Sequence, residues 1–475
     1  MNVGEDMKEE TRRGVAQQLA EEVIRFKFED LPSDVIHQTR RLVLDTLGCA
    51  IGGYSSEARK IIQDLLIELD GPREATVIGS GMKTSCLNAT LANGVMVRCL
   101  DYNDAVVMET EGKYRMGYHP SEVIPGILAL GERQHLTGKG TIAAIVLGYD
   151  LSYRFLEGVF EPEMELRGWN GDTRGAYIMP LVAGKILGLN EAQLANAMGI
   201  SGSSHAVLGI LDASSEEYTM TKNLRFPWMA YGGILAAMMA QKGFTGPTRV
   251  IEGQHGFIEV FLKGEYDVGK LTDSRKRFTI LGSSIKSVVA DYSTHGHLTA
   301  TLTLVKEHHI GPEDIAEVRI KTTTRCARHT GDLVKKYPKN RESADHSSYY
   351  LTAIAIIDRQ LGPDQFSPEK YSDPRVHGLI EKIVFEGDEA IDEMFFCAGA
   401  SEIVMKDGKK YRCEVKYPKG HPRNPMTDEE IVGKFRDMAA KYMSEEEIIK
   451  IVGTVFKLDE LDDIQKLTTL MTFRQ

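Results

Sequence analysis

The sequence is short of several features that often reveal a function. Cysteine is sparse: Cys49, Cys86, Cys99, Cys326, Cys397 and Cys413 are all there are in 475 residues, and no two stand in a C-x-x-C pair. This argues against a disulfide scaffold, a zinc ribbon and a sequence-local iron–sulfur motif. Long apolar runs are missing too. A membrane span needs ~20 predominantly apolar residues. The uncharged run from Ala192 to Leu211 carries Gln193, Asn196 and His205, and the more apolar run from Phe226 to Gln241 is too short. Positive charge is in deficit, with 57 Lys and Arg against 68 Asp and Glu and a net charge of −11. With no basic run either, neither nucleic acid nor membrane is expected as a partner. A small anionic substrate stays compatible, because a few inward-facing cations can make a pocket positive inside an acidic shell. No apolar core precedes the charges between Met1 and Val15, so no secretory signal is visible and a cytoplasmic location is expected.

Complete motifs for cofactor or nucleophile chemistry are also lacking. Thr76-Val-Ile-Gly79-Ser-Gly81 starts like a dinucleotide fingerprint, but no third glycine follows at the required spacing. Ser283-Ser-Ile-Lys286 fits S-x-x-K without the K-T-G that accompanies it in serine acylases. His295-Gly-His297 would offer two imidazoles from one strand face to a metal, or else open a helix capped by Ser293 or Thr294 with one ring inward. There is no H-E-x-x-H and no P-loop. No metal and no cofactor are expected.

What is present is the balance of a globular protein, with 42% hydrophobic and 26% charged residues. The length implies two or three domains and at least two cores. Helical spacing of apolar residues runs through the first 260 or so positions, beginning after Pro32-Ser33 and stopped at Gly52-Gly53. Further helices are expected at 121–135, 140–157, 177–187, 191–199 and 228–242. The character changes near Lys270. Short strands are expected at 278–281 and 287–290, an alternating strand at 317–323, a strand at 382–385, and a hairpin of 398–405 with 411–415 across Asp407-Gly408. Helices at 427–441 and 444–458 close the chain. The expected fold is mainly α: a large helical domain from 1–274 and 416–475, with a smaller α+β lid domain inserted at 275–415.

Four polar clusters interrupt the apolar helical sequence. Asp101 and Asp104 follow the small, apolar run Ala89–Val97 and precede His119 at a helix start. Two acids at a helix C-terminus oppose the dipole, so capping or salt bridging competes with a functional reading. Lys222 and Arg225 precede an apolar helix, where a solvated turn is the plain alternative. Lys286 leads to Asp291, His295 and His297. Asp345 and His346 precede Tyr350. Together the clusters supply cations to hold a carboxylate, and His, Asp and Tyr as acid and base for proton transfer beside it.

The wording of these segments resembles the MmgE/PrpD family of 2-methylcitrate dehydratases, cis-aconitate decarboxylases and iminodisuccinate epimerases. The phrases that carry the resemblance are Leu44-Asp-Thr-Leu-Gly-Cys-Ala-Ile-Gly-Gly53, Leu100-Asp-Tyr-Asn-Asp104, His119-Pro-Ser121, Lys222, Asp345-His-Ser347 and Gly420-His-Pro-Arg-Asn-Pro425. It implies a cofactor-independent homodimer with its active site between the two domains. It places Asp101, His119, Lys222, Lys286, His295 and Tyr350 at catalytic positions. Asp104, Asn170, Arg225, Asp291 and His346 are then expected to contact a small anionic polycarboxylate. The sequence departs from the family pattern at Ala105, in the long segment from Val106 to Tyr118, at Asp291, and near Trp169-Asn170. A hydro-lyase of the 2-methylcitrate dehydratase type is the leading expectation. Epimerisation, decarboxylation and an inactive binding or structural dimer are the alternatives.

Overall fold

A computed structural model describes residues 13–110, 113–116, 118–158, 167–213, 215–262, 267–273 and 278–473. The fold is mainly helical. Its centre is the helix Ser33–Gly52, in which every residue from Leu42 to Ile51 is buried. A helix buried on all sides must be covered on all sides, and two others do most of this. Cys86–Arg98 packs along one flank, and the C-terminal helix Asp428–Ala439 lies along another. The second contact is close: a Cβ added at Gly48 would meet the Met438 and Phe435 side chains. Ile448, Ile451 and Val455 of Glu445–Phe456 join the same apolar cluster as the N-terminal helices. Both C-terminal helices start with capping boxes, Thr427 with Glu430 and Ser444 with Glu447, which satisfy the free amides of the first turn.

Glycine at 94 governs a crossing that matters for the site. A Cβ there would stand 2.8 Å from the Pro227 ring. Its absence lets Cys86–Arg98 and Arg225–Gln241 cross closely, which brings Arg98 and Arg225 toward one another.

Residues 315–415 form a four-stranded sheet in the order Ile383–Gly387, Ile315–Thr322, Gly399–Met405, Lys410–Val415. The first pair is parallel and the others antiparallel. Strand Ile315–Thr322 buries Ile315, Val318, Ile320 and Thr322, and a register irregularity between Ile315 and Glu317 accounts for the break in alternation. Helices His295–Glu307 and Ser348–Asp358 cover the sheet's inner face and complete a second apolar cluster with Leu298, Ile354 and Ile403.

Several expected elements differ. Residues 279–282 form a 3₁₀ turn and 287–290 are bends rather than strands. Val288, Val289 and Ala290 are apolar because they are buried as a loop, a pattern that a short run cannot distinguish from a strand. The strand in this region is Ser283–Ser284, which pairs with Ala105–Val106. The long segment after Asp104 contains an antiparallel hairpin of Ala105–Thr110 with Lys113–Met116; residues 111, 112 and 117 lie outside the described residues. The boundary expected at 274/275 also lies outside them. Among the described residues, no helix is long and apolar enough to cross a membrane.

Helix His295–Glu307 opens with two fully buried imidazoles, so both rings of His295-x-His297 point inward. Burial pushes each down to about 3. In the unfolded chain each titrates near ~6.5, so below that pH the unfolded state binds more protons than the folded one. The stability from keeping these rings neutral is complete above ~6.5 and is lost as pH falls toward about 3. Urea unfolding midpoints should therefore drop between pH 7 and 5. Each ring contributes at most ~1.4 kcal/mol per pH unit to the slope, and His297→Gln should flatten it. An unchanged slope in that variant would show that His297 is not among the groups that titrate.

Candidate active site

The site is built around one carboxylate. After Arg98 ends its helix, the backbone turns through Asp101 in the left-handed region (φ 49°), an uncommon conformation for a residue with a side chain. Burial alone would raise the Asp101 pKa, but Arg98, Lys286, Lys222 and His346 override it and hold the group well below the usual carboxylate range. Oδ1 lies 3.0 Å from Arg98 Nη1 and accepts from Lys286 Nζ, while Oδ2 lies 3.0 Å from Lys222 Nζ. Lys286 Nζ also donates to the carbonyls of Asp101 at 2.9 Å and Ala290 at 3.0 Å. Its segment is pinned by the turn at Gly420 (φ +93°), whose carbonyl accepts from Ile285 N at 3.1 Å. A Cβ at 420 would fall 1.8 Å from the Ile285 carbonyl oxygen, so only glycine fits.

From Lys222 the network continues to Asp345 Oδ1 at 2.7 Å. The same oxygen lies 2.6 Å from His346 Nδ1, which donates to it. His346 Nε2 then faces Asp101 Oδ2 at 3.5 Å and Asp291 Oδ2 at 3.6 Å. Burial would raise Asp291, but His346 and His329 lower it to about 2.

His119 stands on the turn before Pro120–Glu122. Its Nδ1 is 2.6 Å from the Asp104 carbonyl oxygen. A carbonyl can only accept, so Nδ1 carries the proton and Nε2 of the neutral ring keeps its lone pair. Burial, with Arg98 and Lys286 nearby, pushes the ring well below its ordinary pKa. Asp104 itself is a support: Oδ1 accepts from Ser121 N at 3.1 Å and Oδ2 from the Tyr149 hydroxyl at 2.9 Å. Burial pushes its carboxyl up to about 6.

These groups meet at a cleft of about 400 Å³, within the ordinary range of ligand pockets. Of the residues expected from the sequence, His119, Asn170, Arg225, Asp291 and His346 line it. Asp101, Lys222 and Lys286 are buried behind it as one ion network. Two are not brought to it. The Tyr350 hydroxyl donates to the Gln365 carbonyl, and its ring packs with Tyr371 and Phe366 in the second apolar cluster. His295 is fully buried against Tyr292, with Nε2 3.4 Å from the Ala290 carbonyl oxygen.

Several groups at the site were not singled out in the sequence. Arg98 reads there as an ordinary basic residue in a helix's last turn, yet it is buried between Asp101 and Glu122. Burial pushes Glu122 up to about 8, against the pull of the nearby arginines. Arg225 is held between Asp172, at 3.2 Å, and Asp212, which also accepts from Asn170 Nδ2 at 3.3 Å. Arg325, Arg328 and His329 line the opposite wall from the helix Thr324–His329. Their i, i+3, i+4 spacing was the available signal.

A larger cleft of about 810 Å³ lies elsewhere, lined by Tyr102, Arg341, Phe366 and Lys434 among others. It holds no histidine, and its cations are committed: Arg341 Nε to the Cys99 carbonyl and Lys434 to Asp45. The smaller cleft, by contrast, is lined by His119, His329 and His346. Two groups near it have the ligand types for a metal ion, Asp212 with His329 and His346, and Asp101 with Asp345 and His346. Lys222 already occupies the space between the carboxylates of the second, and Arg225 engages the aspartate of the first.

Neutral imidazole, buried cations and a compact cleft are the parts that proton transfer on a small anion needs. Residues 17–268 match the MmgE/PrpD N-terminal domain and residues 289–458 the MmgE/PrpD C-terminal domain, so the chain belongs to the MmgE/PrpD family. Cis-aconitate decarboxylase of Aspergillus terreus is 26% identical over 97% of this chain and 96% of its own length. The human protein of that name is 25% identical over 97% and 95%. The 2-methylcitrate dehydratase of Salmonella typhimurium is 24% identical over 83% and 84%. These relatives are enzymes.

Lys222 tests the network. As a pocket lysine it would contribute little to stability, but here its removal leaves Asp101 and Asp345 buried with one cation fewer. Lys222→Ala should lower the unfolding free energy by about 3–5 kcal/mol, measured by urea denaturation. A wild-type midpoint would mean that the ammonium is not buried between the two carboxylates. Exhaustive chelation, in turn, should leave activity unchanged; loss on chelation and recovery with one added divalent ion would show that a metal displaces these contacts.

Proposed function

We propose that the protein is a cofactor-independent lyase acting beside a carboxylate of a small di- or tricarboxylic acid. The observation that carries this reading is His119: a neutral imidazole whose proton sits on Nδ1, presenting a basic Nε2 to a cleft lined with cations. In this reading Nε2 abstracts the proton on the carbon next to the substrate carboxylate. Arg98 and Arg225 hold that carboxylate and stabilise the enediolate-like charge that builds on it. Asp101 is a positioning residue: both of its oxygens are engaged by cations, which makes it a weak base but a rigid anchor. His346, oriented by Asp345 through Nδ1, positions the departing hydroxyl, which leaves as water with the proton that His119 Nε2 has taken up. Residues 1–274 with 416–475 act as the helical body, and 275–415 as the lid that supplies Asp291, His346 and the wall at 325–329. The reaction we assign is water elimination of the 2-methylcitrate type.

Decarboxylation is the second reading. It is favoured by the wider match to the cis-aconitate decarboxylases, 97% of this chain against 83% for the Salmonella dehydratase. One experiment separates these possibilities. The protein is incubated in deuterated water with 2-methylcitrate, citrate, cis-aconitate and iminodisuccinate, and the α-protons are followed by NMR. Formation of the unsaturated acid supports the assignment. Carbon dioxide release establishes the decarboxylase, exchange without elimination an epimerase, and inertness across the panel a binding or structural role.

His119→Gln should lower kcat by ~10²–10⁴ while the protein stays folded. In the wild type, kcat/KM should hold steady as pH falls through ~6.5, because the folded ring titrates well below that value. An acid limb near 6.5 would place the base elsewhere.

A further inference from the structure

Beside the ion network, the cleft gathers a second set of groups whose chemistry is not proton transfer. One ligand atom from each of Asp212, His329 and His346 falls within 4.8 Å of the other two. All three residues line the cleft. They come from separate parts of the chain: the turn Gly209–Asp212, the short helix Thr324–His329 and the segment before Ser348–Asp358. Two imidazoles and a carboxylate at this separation are the donor set of a borderline divalent ion such as Zn²⁺, whereas Mg²⁺ and Ca²⁺ prefer oxygen alone.

The surroundings aim these donors. Asp345 accepts from His346 Nδ1 at 2.6 Å, which leaves the His346 lone pair on Nε2. The Tyr218 hydroxyl donates to the Asp212 carbonyl oxygen at 3.2 Å, so toward His329 it accepts, from Nε2 at 3.3 Å. The His329 lone pair then sits on Nδ1, and any hydrogen bond it accepts is exchanged for the metal bond. Imidazoles anchored through their other nitrogen are how metal centres fix tautomer and ring direction. Asp212 divides its two oxygens. Oδ2 is taken by Arg225 and by Asn170 Nδ2 at 3.3 Å, while Oδ1 is buried with no hydrogen-bond partner among the described residues. A buried carboxylate oxygen without a donor is costly, and a cation beside it removes the cost. Asp291, with Oδ2 3.6 Å from His346 Nε2, adds negative charge at the same place.

We propose that Asp212 Oδ1, His329 Nδ1 and His346 Nε2 bind a single ion of the Zn²⁺ class, and that this ion inhibits the enzyme. The binding stands apart from the lyase reading. The inhibition rests on it, because His346 is the group that positions the departing hydroxyl. With the ion in place that nitrogen is committed, and the cleft is bridged between its floor and Thr324–His329. The metal-free form is the active one, and a chelator lifts the inhibition.

Zn²⁺ alone is the probe. Isothermal titration of chelator-stripped protein should show one ion bound per chain. His329→Gln and Asp212→Asn should each weaken this binding at least about tenfold, since losing a ligand costs no less than losing the group behind one. His255→Gln, which removes an exposed imidazole paired with Glu259, controls for surface histidines and should bind as the wild type does. Excess Mg²⁺ should not compete. On the unaltered protein, bound Co²⁺ should shift the N–H protons of two imidazoles in the NMR spectrum, a readout that does not depend on any variant folding. Zn²⁺ should lower turnover of the acid that the wild type converts, with recovery on chelation. Absence of binding, binding unchanged in both variants, or fewer than two shifted imidazoles overturns the site. Binding there with unchanged or raised turnover overturns the inhibition. A wild type that converts no acid overturns the lyase reading and the inhibition with it, while titration and NMR still decide the site.

Discussion

The site depends on keeping a carboxylate charged where burial favours the neutral acid. Asp101 is almost entirely removed from water, and only the convergence of Arg98, Lys222 and Lys286 makes its ionised form the stable one. These cations come from three distant stretches of chain, so the ion cluster fixes three pieces of backbone relative to one another. The Cys86–Arg98 helix end, the turn before Arg225–Gln241 and the loop from Ser284 to Ala290 are tied at a single point. Asp345 extends the tie to the segment leading into Ser348–Asp358. A buried network of this kind is costly to break and intolerant of single removals, which suits a cleft whose geometry must not drift.

The two apolar clusters make that convergence possible. In the first, the all-buried helix Ser33–Gly52 needs cover from both ends of the chain. In the second, the sheet and its two covering helices bring Asp291, His346 and the arginine wall to the other side of the cleft. The site lies where the two sets of elements meet. Its charged groups are the part of that junction that could not be filled with apolar side chains.

Much of this was legible in the sequence, and the gaps have physical causes. The long helices and the hairpin around Asp407-Gly408 follow from periodicity and turn chemistry, which are local. The polar clusters at 101–104, 222–225 and 345–346 stood out because they interrupt apolar runs, and the structure draws Asp101, Lys222 and Asp345 into one network. Arg98 did not stand out, because an arginine in a helix's last turn is the ordinary complement to the dipole. Thr324–His329 escaped because a six-residue helix is too short for an apolar stripe to reveal it. Tyr350 illustrates the converse: a tyrosine beside a polar cluster can point the other way along its helix and serve as core packing. Sequence adjacency reports which residues are near a site, and side-chain direction decides which of them enter it.

The hydrogen bond from His119 Nδ1 to the Asp104 carbonyl has a consequence for how the chain can vary. The acceptor is main-chain oxygen, so every amino acid at position 104 supplies it. A change there alters the carboxylate behind Ser121 and Tyr149 but not the atom that decides which imidazole nitrogen carries the proton. Tautomer choice is thus written into the path of the backbone from Asp101 to Ala105 and not into any side chain. The identity of the basic atom can then persist through substitutions around it for as long as that turn keeps its shape.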